Sequence, residues 1–264
     1  MTPGTAACSH GRVSLTVLYE DNHLLVVDKP AGLLTQAAQA GDDTLVERAR
    51  AYLKERWQKP GNVYVGLVHR LDRSTSGVVV LAKTSKAAAR LSEQLRLHDD
   101  VEKTYLAVVH GAVARGGRLE HTLVEVGDGA AVARPGEAGK RAALSFEPLA
   151  STPAAALLVV RIETGRKHQI RVQLAAVGHP LIGDRRYGGP RAAPDARFDP
   201  RADQLIGRVA LHAWEIALRH PTRREPDAAE LRFRAPIPDD FHRLCQALGL
   251  GPLPMGGDSG PKKS

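Results

Sequence analysis

Aromatic residues are scarce in this chain. Phe, Trp and Tyr make up 4% of its 264 residues. A surface so poor in rings lacks the repeated stacking platforms of broad single-strand binders. Cysteine is nearly absent. Cys8 and Cys245 form no Cys-x-x-Cys pair, which leaves no basis for a disulfide framework or a thiolate zinc site. No apolar run approaches the roughly 18 residues of a membrane span. Residues 1–12 lack the apolar core of a secretion signal, so a cytoplasmic location without a membrane span is expected. His168, His179, His212 and His220 are scattered, without a tight ligand spacing such as His-x-x-x-His. No metal is expected.

What is plentiful is positive charge. Lys and Arg number 37 against 29 Asp and Glu, a net charge of +8. That balance points to a polyanionic partner, nucleic acid or an anionic membrane surface. Apolar residues at 43% are enough for a full core. The length suits one large domain.

Residues 1–12 read as a disordered N-terminal tail, 13–250 as one domain and 251–264 as a flexible tail. Residues 13–19 and 23–28 are β-rich around an Asp21-Asn22 turn. Thr44 and Glu47 make a capping-box pattern, and Leu45, Ala49, Leu53 and Trp57 predict an amphipathic helix over 44–57. Strands are expected at 63–67, 78–83, 104–109 and 157–162, with hairpin excursions across 111–140. Ser85 is a candidate cap for a second helix with Ala87, Leu91 and Leu95 on its apolar face. A third helix is predicted over 168–177, stopped by Gly178, and a fourth around Phe241, Leu244 and Leu248. Residues 185–208, rich in Arg, read as a long loop. Strands occur both in hairpins and between helices, so the expected class is mixed α+β.

The stretch His69-Arg70-Leu71-Asp72-Arg73-Ser74-Thr75-Ser76-Gly77 precedes the apolar run Val78-Val79-Val80-Leu81-Ala82. Arg70 and Arg73 flank Asp72, and positive charge nearby keeps a carboxylate ionised. An ionised Asp at a strand edge can serve as nucleophile or base. Ser74, Thr75 and Ser76 suit either capping of the turn or contact with a phosphate. His69 reads as a hydrogen-bonded structural histidine.

This stretch resembles the catalytic motif of the RluA-type RNA pseudouridine synthases. The likeness continues in order along the chain. Leu18 to Gly32, with Asp28-Lys29-Pro30-Ala31-Gly32 at its end, is similar to the family's opening strand and turn. Lys103-Thr104-Tyr105-Leu106-Ala107 resembles its tyrosine motif. Thr164-Gly165-Arg166-Lys167-His168-Gln169-Ile170-Arg171-Val172, then Gly178-His179-Pro180 and Gly183-Asp184, resemble its arginine motif. Leu211-His212-Ala213, His220-Pro221 and Ala235-Pro236-Ile237-Pro238 resemble its closing segment.

The resemblance implies a mainly antiparallel sheet flanked by helices, and the conversion of uridine to pseudouridine in structured rRNA or tRNA. Asp72 becomes the catalytic carboxylate, acting on the sugar or base as nucleophile or taking a proton from the sugar. Tyr105 packs against the target base. Arg171, an arginine in the first turn of its helix, becomes the ion-pair partner of Asp72, with Arg166 able to compete. Arg70, Arg73, Thr75, Arg166, His168 and Gln169 are the implied RNA contacts. The 185–208 loop is a plausible clamp on the RNA backbone. The chemistry requires no cofactor. The chain is expected to act as a monomer without an obligatory protein partner, and without the small N-terminal RNA-binding domain of larger members. Thr35-Gln36-Ala37-Ala38-Gln39 and His98-Asp99-Asp100 depart from the family's usual wording.

Two other classes make different demands. An aspartyl phosphotransferase of the haloacid-dehalogenase type needs a second Asp two residues after the first, where Ser74 stands. A non-catalytic RNA chaperone on the same scaffold has no need of Asp72, Tyr105 and Arg171 together.

Overall fold

The computed structural model describes residues 15–39, 41–58, 60–97, 101–189, 198–223, 230–254 and 260–261. The expected N-terminal tail at 1–12 and His98-Asp99-Asp100 lie outside the described residues, and of the expected tail at 251–264 only 251–254 and 260–261 are described.

The chain begins as an antiparallel pair, β1 (Thr16–Glu20) and β2 (Leu24–Lys29). The Asp21 carboxylate makes the turn between them by accepting from the His23 and Leu24 amides at 2.7 Å. Helix α1 (Leu45–Arg56) starts where the Thr44 hydroxyl accepts from the Glu47 amide at 3.2 Å. Leu45, Ala49 and Leu53 are buried as expected. Trp57 is not: it caps the helix C-terminus 53% exposed and donates from its indole to Glu20. The two-residue β3 (Gly66–Leu67) leads into the Asp72 loop, and β4 (Ser76–Ala82) leaves it. Helix α2 (Ser85–Leu97) is capped by Thr84 rather than Ser85, since the Thr84 hydroxyl accepts from the Ala87 amide.

β5 (Glu102–His110) is followed by a long excursion: β6 (Gly117–Val126), β7 (Gly129–Val132) and β8 (Lys140–Ser151). β9 (Ala155–Ile162) returns beside β5, and α3 (Gln169–Ala176) follows. After a 3-10 turn at Ala202–Leu205 come β10 (Leu211–Arg219), β11 (Glu230–Arg234), α4 (Asp239–Ala247) and the short β12 (Gly260–Pro261).

The twelve strands among the described residues join one sheet, whose main path runs β1-β2-β4-β10-β5-β9-β8-β6-β7. The strand pairs are antiparallel except β4 with β10, which run parallel. The expected mixed, mainly antiparallel α+β class therefore holds. β2, β4, β5 and β9 are buried on both faces, which explains their nearly continuous apolar runs. Leu25, Val27, Val79, Leu81 and Val109 meet α1 and α3 on one face. On the other, Val26, Val78 and Val80 meet α2, while Leu106 and Val108 meet α4. Cys245 is buried in that second layer.

β8, β10 and β11 were not legible as strands. β8 contains Pro148, which lacks a backbone donor and sits beside a register shift against β9. β10 carries Glu215, which breaks the apolar pattern but is buried and paired with Arg232 and Arg234 of β11.

The junction of β4 and β10 fixes the start of β4. Ala213 stands opposite Gly77, and a Cβ on Gly77 would lie 2.1 Å from the Ala213 carbonyl oxygen. Gly77 also holds φ at 122°, which side chains disfavour. Gly77→Ala should therefore cost at least about 2 kcal/mol, or prevent folding altogether. Urea denaturation checks this; a midpoint matching wild type would mean the strands separate more easily than their spacing implies.

Candidate active site

Asp72 sits on a loop stapled at both sides. On one side the buried Thr35 hydroxyl donates to the Leu71 carbonyl at 2.8 Å and lies 3.2 Å from the Leu71 amide. On the other, the Gly32 amide donates to the Arg73 carbonyl at 2.7 Å. Lys29 reinforces that side. Its fully buried ammonium donates to the carbonyls of Pro30, Leu33 and Arg73 at 3.0, 2.8 and 3.4 Å. Burial pushes the Lys29 pKa down to about 8, with the Asp72 charge opposing that shift. The Thr75 amide closes the turn onto the Asp72 carbonyl at 3.1 Å. The Lys29–Thr35 stretch thus sets the position of Asp72 through its neighbours' backbone.

The loop opens into a cleft of about 770 Å³, within the roughly 300–1,000 Å³ range of ligand pockets. Six cationic side chains line it: Arg70, Arg96, Lys103, Arg166, Lys167 and Arg171. Asp72 and Glu125 are the only carboxylates among its described lining. Lys103 and Tyr105 both face it, because residues two apart on β5 share a side. Burial lowers Lys103 to about 8. Burial, and then the charge of Asp72, hold the Tyr105 phenol well above its ordinary range. Tyr105 is therefore a neutral ring at the cleft wall.

Arg171 meets Asp72, but its firmest partner is another carboxylate. Its Nη1 lies 3.7 Å from Asp72 Oδ2. Its Nε and Nη2 donate to Asp184 at 2.7 and 2.8 Å, a bidentate pair. Asp184 is 2% exposed. Burial works against the Arg171 charge, yet the Asp184 hydrogen bonds and the charges of Asp184 and Asp72 raise its pKa overall. The first turn of α3 does place Arg171 toward the site, as expected. Helix α3 is buried along nearly its whole length: Gln169 through Ala175 are all buried, whereas Val177 just past its end is 39% exposed. The signal for Asp184 was the Gly183-Asp184 pair. Gly183 has φ 77°, and a Cβ there would lie 2.0 Å from the Arg208 carbonyl oxygen.

The arginines flanking Asp72 in sequence do not enclose it. Arg70 is exposed at the cleft, and Arg73 turns away to donate from Nε to the Gly32 carbonyl at 3.0 Å. The chain turns at 72–75, where the Thr75 amide donates to the Asp72 carbonyl, so adjacency in sequence was a poor guide to ion pairing. Arg166, the competing candidate, donates from Nε to the Arg141 carbonyl at 2.9 Å and stays exposed. Gln169 is buried: its carbonyl oxygen accepts from Thr164 Oγ1 and the Arg166 amide, and its amide donates to Ala143. It shapes the turn before α3 from inside. Ser76 spends its hydroxyl on His212 Nδ1, 2.9 Å away. Thr75 Oγ1 is buried at the cleft with no hydrogen-bond partner among the described residues.

His168 begins α3 in the left-handed region at φ 54° and points Nε2 at Asp72 Oδ2, 3.7 Å away. Burial lowers its pKa, and the nearby cations Arg171, Arg186 and Lys167 add to this against the pull of Asp72. His69 is structural, as expected. Its Nε2 accepts from the Val80 amide at 2.9 Å, and burial, then Lys103, depress it to about 3. The expected loop over 185–208 divides. Arg186 pairs with Asp128 at 2.5 Å and Arg208 with Asp240 at 2.7 Å, so these two arginines are engaged within the fold. Residues 190–197 lie outside the described set.

Comparison with known proteins converges on one family. A family model described as RNA pseudouridylate synthase matches residues 23–176. The chain is 38% identical over 241 residues to a ribosomal large subunit pseudouridine synthase D of Xanthomonas campestris, covering 89% of this chain and 70% of that protein. It is 35% identical to the protein of the same name from Pseudomonas aeruginosa, over 89% of this chain and 72% of the relative. Among solved structures, human RNA pseudouridylate synthase domain containing 4 superposes with a TM-score of 0.72 at 26% identity, covering 89% of this chain and 94% of that one.

Two outcomes follow from the buried groups. Asp184→Asn leaves the Arg171 guanidinium buried with its main counter-charge gone, so stability should drop by about 3–5 kcal/mol. Chemical denaturation measures it, and an unchanged midpoint would remove Asp184 from the site's support. His69 binds a proton in the unfolded chain below about 6.5 but in the folded chain only near about 3. Stability from this residue is therefore present above pH 6.5 and lost as pH falls through that window. His69→Gln, which keeps an acceptor for Val80, should flatten the acid limb of stability against pH. Parallel curves for the two proteins would contradict this.

Proposed function

Because the chain belongs to the RNA pseudouridylate synthase family and is an RNA pseudouridine synthase, we propose that its substrate is a uridine in large-subunit ribosomal RNA and that Asp72 is its catalytic carboxylate. The observation that carries the reading is the Asp72 carboxylate in a cationic cleft, beside the Tyr105 ring and within 3.7 Å of Arg171. The choice of RNA rests on the names of the relatives, which are ribosomal large subunit enzymes.

The isomerisation breaks the bond between N1 of uracil and C1′ of ribose and joins C5 to C1′. The proton leaves C5, and N1 ends protonated, so atoms and charge balance without a redox partner. A uridine stacked in a helix cannot be reached, so the nucleotide is flipped into the cleft. Asp72 then acts on the sugar or the base, and Arg171 fixes its orientation from the side. A guanidinium suits that task because it cannot lose its proton at working pH. Tyr105 presents a flat, uncharged face to the turning uracil. Arg70, Lys103, Arg166 and Lys167 bind phosphates around the flipped residue, and the Thr75 hydroxyl is free to hydrogen-bond the nucleotide. A recess of about 110 Å³ shares Glu125, Gly165, Arg166 and Lys167 with the cleft and extends the backbone path past β6 and β7. We read residues 13–250 as one catalytic domain acting in the cytoplasm as a monomer, without an obligatory protein partner.

The test pairs chemistry with mapping. Asp72→Asn should fold, bind RNA and lose turnover by at least about a thousandfold, since the reacting group itself is removed. Pseudouridine maps of ribosomal and transfer RNA from a strain lacking the gene should show a missing large-subunit site that the wild-type gene restores and Asp72→Asn does not. A site missing only from transfer RNA would redirect the substrate. Asp72→Asn turnover within tenfold of wild type would remove Asp72 from the chemistry.

A further inference from the structure

Two positive or polar donors converge on one oxygen of Asp72. Arg171 Nη1 and His168 Nε2 each stand 3.7 Å from Oδ2. Both make their nearest approach to the carboxylate at that oxygen. Asp72 and His168 are partly buried, with side-chain exposures of 21% and 13%. The other edge of the imidazole is also engaged. His168 Nδ1 lies 2.7 Å from the Tyr187 hydroxyl, and that hydroxyl accepts from the Ala130 amide at 2.9 Å. With one lone pair of the hydroxyl taken by the Ala130 amide, the hydroxyl proton is available to Nδ1. A neutral imidazole that accepts at Nδ1 carries its hydrogen on Nε2. The N–H dipole then faces the carboxylate. In the opposite tautomer a lone pair would face it instead.

The backbone supports a dedicated role. His168 holds φ 54°, a left-handed conformation that is uncommon outside glycine. Residues kept in such regions cluster at functional sites, where the surrounding fold holds them against the strain. Here the ring packs edge-on against Tyr187 with centroids 5.5 Å apart. The Tyr187 ring also lies under Arg171, its centroid 4.9 Å from the guanidinium carbon. One tyrosine thus braces both groups that face Asp72 Oδ2.

We propose that His168 is a positioning residue for Asp72: Tyr187 fixes it as the Nε2–H tautomer, and together with Arg171 it restrains the carboxylate at Oδ2. The proposal rests on the reading of Asp72 as the catalytic carboxylate. The 3.7 Å separations are longer than hydrogen bonds. Contacts of this kind tighten when substrate closes the site. The effect therefore belongs to turnover more than to RNA affinity.

The experiment uses the full chain. Long-range proton–nitrogen correlation spectra of histidine-labelled enzyme read the tautomer of His168 in the resting protein. Wild type should show Nδ1 unprotonated and Nε2 protonated. Tyr187→Phe keeps the ring under Arg171 but removes the hydroxyl, so the tautomers should mix. Its kcat should fall by about 10- to 100-fold, the scale of a small misplacement of a reacting group, while KM for RNA stays within about threefold. His168→Gln and His168→Leu bear a similar backbone cost, but only the first retains an N–H donor. The glutamine variant should recover a substantial part of the rate and the leucine variant none. A wild-type spectrum with the proton on Nδ1 overturns the proposal. So does a folded Tyr187→Phe or His168→Leu enzyme with wild-type kcat. An active Asp72→Asn enzyme would instead overturn the reading of Asp72, whereas an inactive one beside a fully active Tyr187→Phe removes only His168.

Discussion

The buried guanidinium of Arg171 is shared between two carboxylates, and the site is arranged around that division. Asp184 takes two of its donors in a bidentate pair, while Nη1 is left facing Asp72. Burying two charges costs several kcal/mol per ion, so such a pair contributes little net stability over an apolar replacement. What it supplies is direction. A lone arginine could swing to whichever carboxylate was nearest. With two donors committed to Asp184, the guanidinium plane is fixed, and so is the donor that reaches Asp72. The Tyr187 ring packed against the guanidinium and the Gly183 turn that sets Asp184 both serve the same orientation.

Asp72 is held by a parallel logic that uses the main chain. Lys29 and Thr35 never touch its carboxylate through a hydrogen bond. They bind the carbonyls and amide of Leu71 and Arg73 on either side. The cost is a fully buried lysine, whose three carbonyl partners offset its lost hydration. Thr35 is also where the chain departs from the family's common wording. The departure leaves the loop anchored, because one hydroxyl meets both backbone groups of Leu71.

Much of this was legible in the residues. The Asp72 loop, the Tyr105 strand and the placement of Arg171 in the first turn of α3 are local patterns, and the fold preserves them. What failed were inferences that need distance information. Arg70 and Arg73 adjoin Asp72 in sequence, yet its ion-pair contacts come from Arg171 and His168, while Asp184 lies far along the chain and supplies the decisive contact to Arg171. Gln169, read as an RNA contact, also closes the turn before α3 from inside, a role no motif announces. Strands β8, β10 and β11 were obscured by a proline at a bulge and by a glutamate whose charge is neutralised from the neighbouring strand. A buried ion pair has no signature in hydrophobic periodicity, so a pattern search reads it as surface.

The central position of β10 has a consequence for when activity can arise. The strand next to β4 in the finished sheet comes from residues 211–219, and the Ser76 hydroxyl finds His212 across 136 positions of sequence. Until β10 inserts, β4 lacks one neighbour and β5 lacks the strand that joins it to the first half of the sheet. Asp72 and Tyr105 then belong to separate pieces, since β10 is the link between their strands. Closing so long a loop before any contact rewards it is slow. The cleft that holds the Asp72 carboxylate and the Tyr105 ring is therefore complete only once β10 stands between β4 and β5.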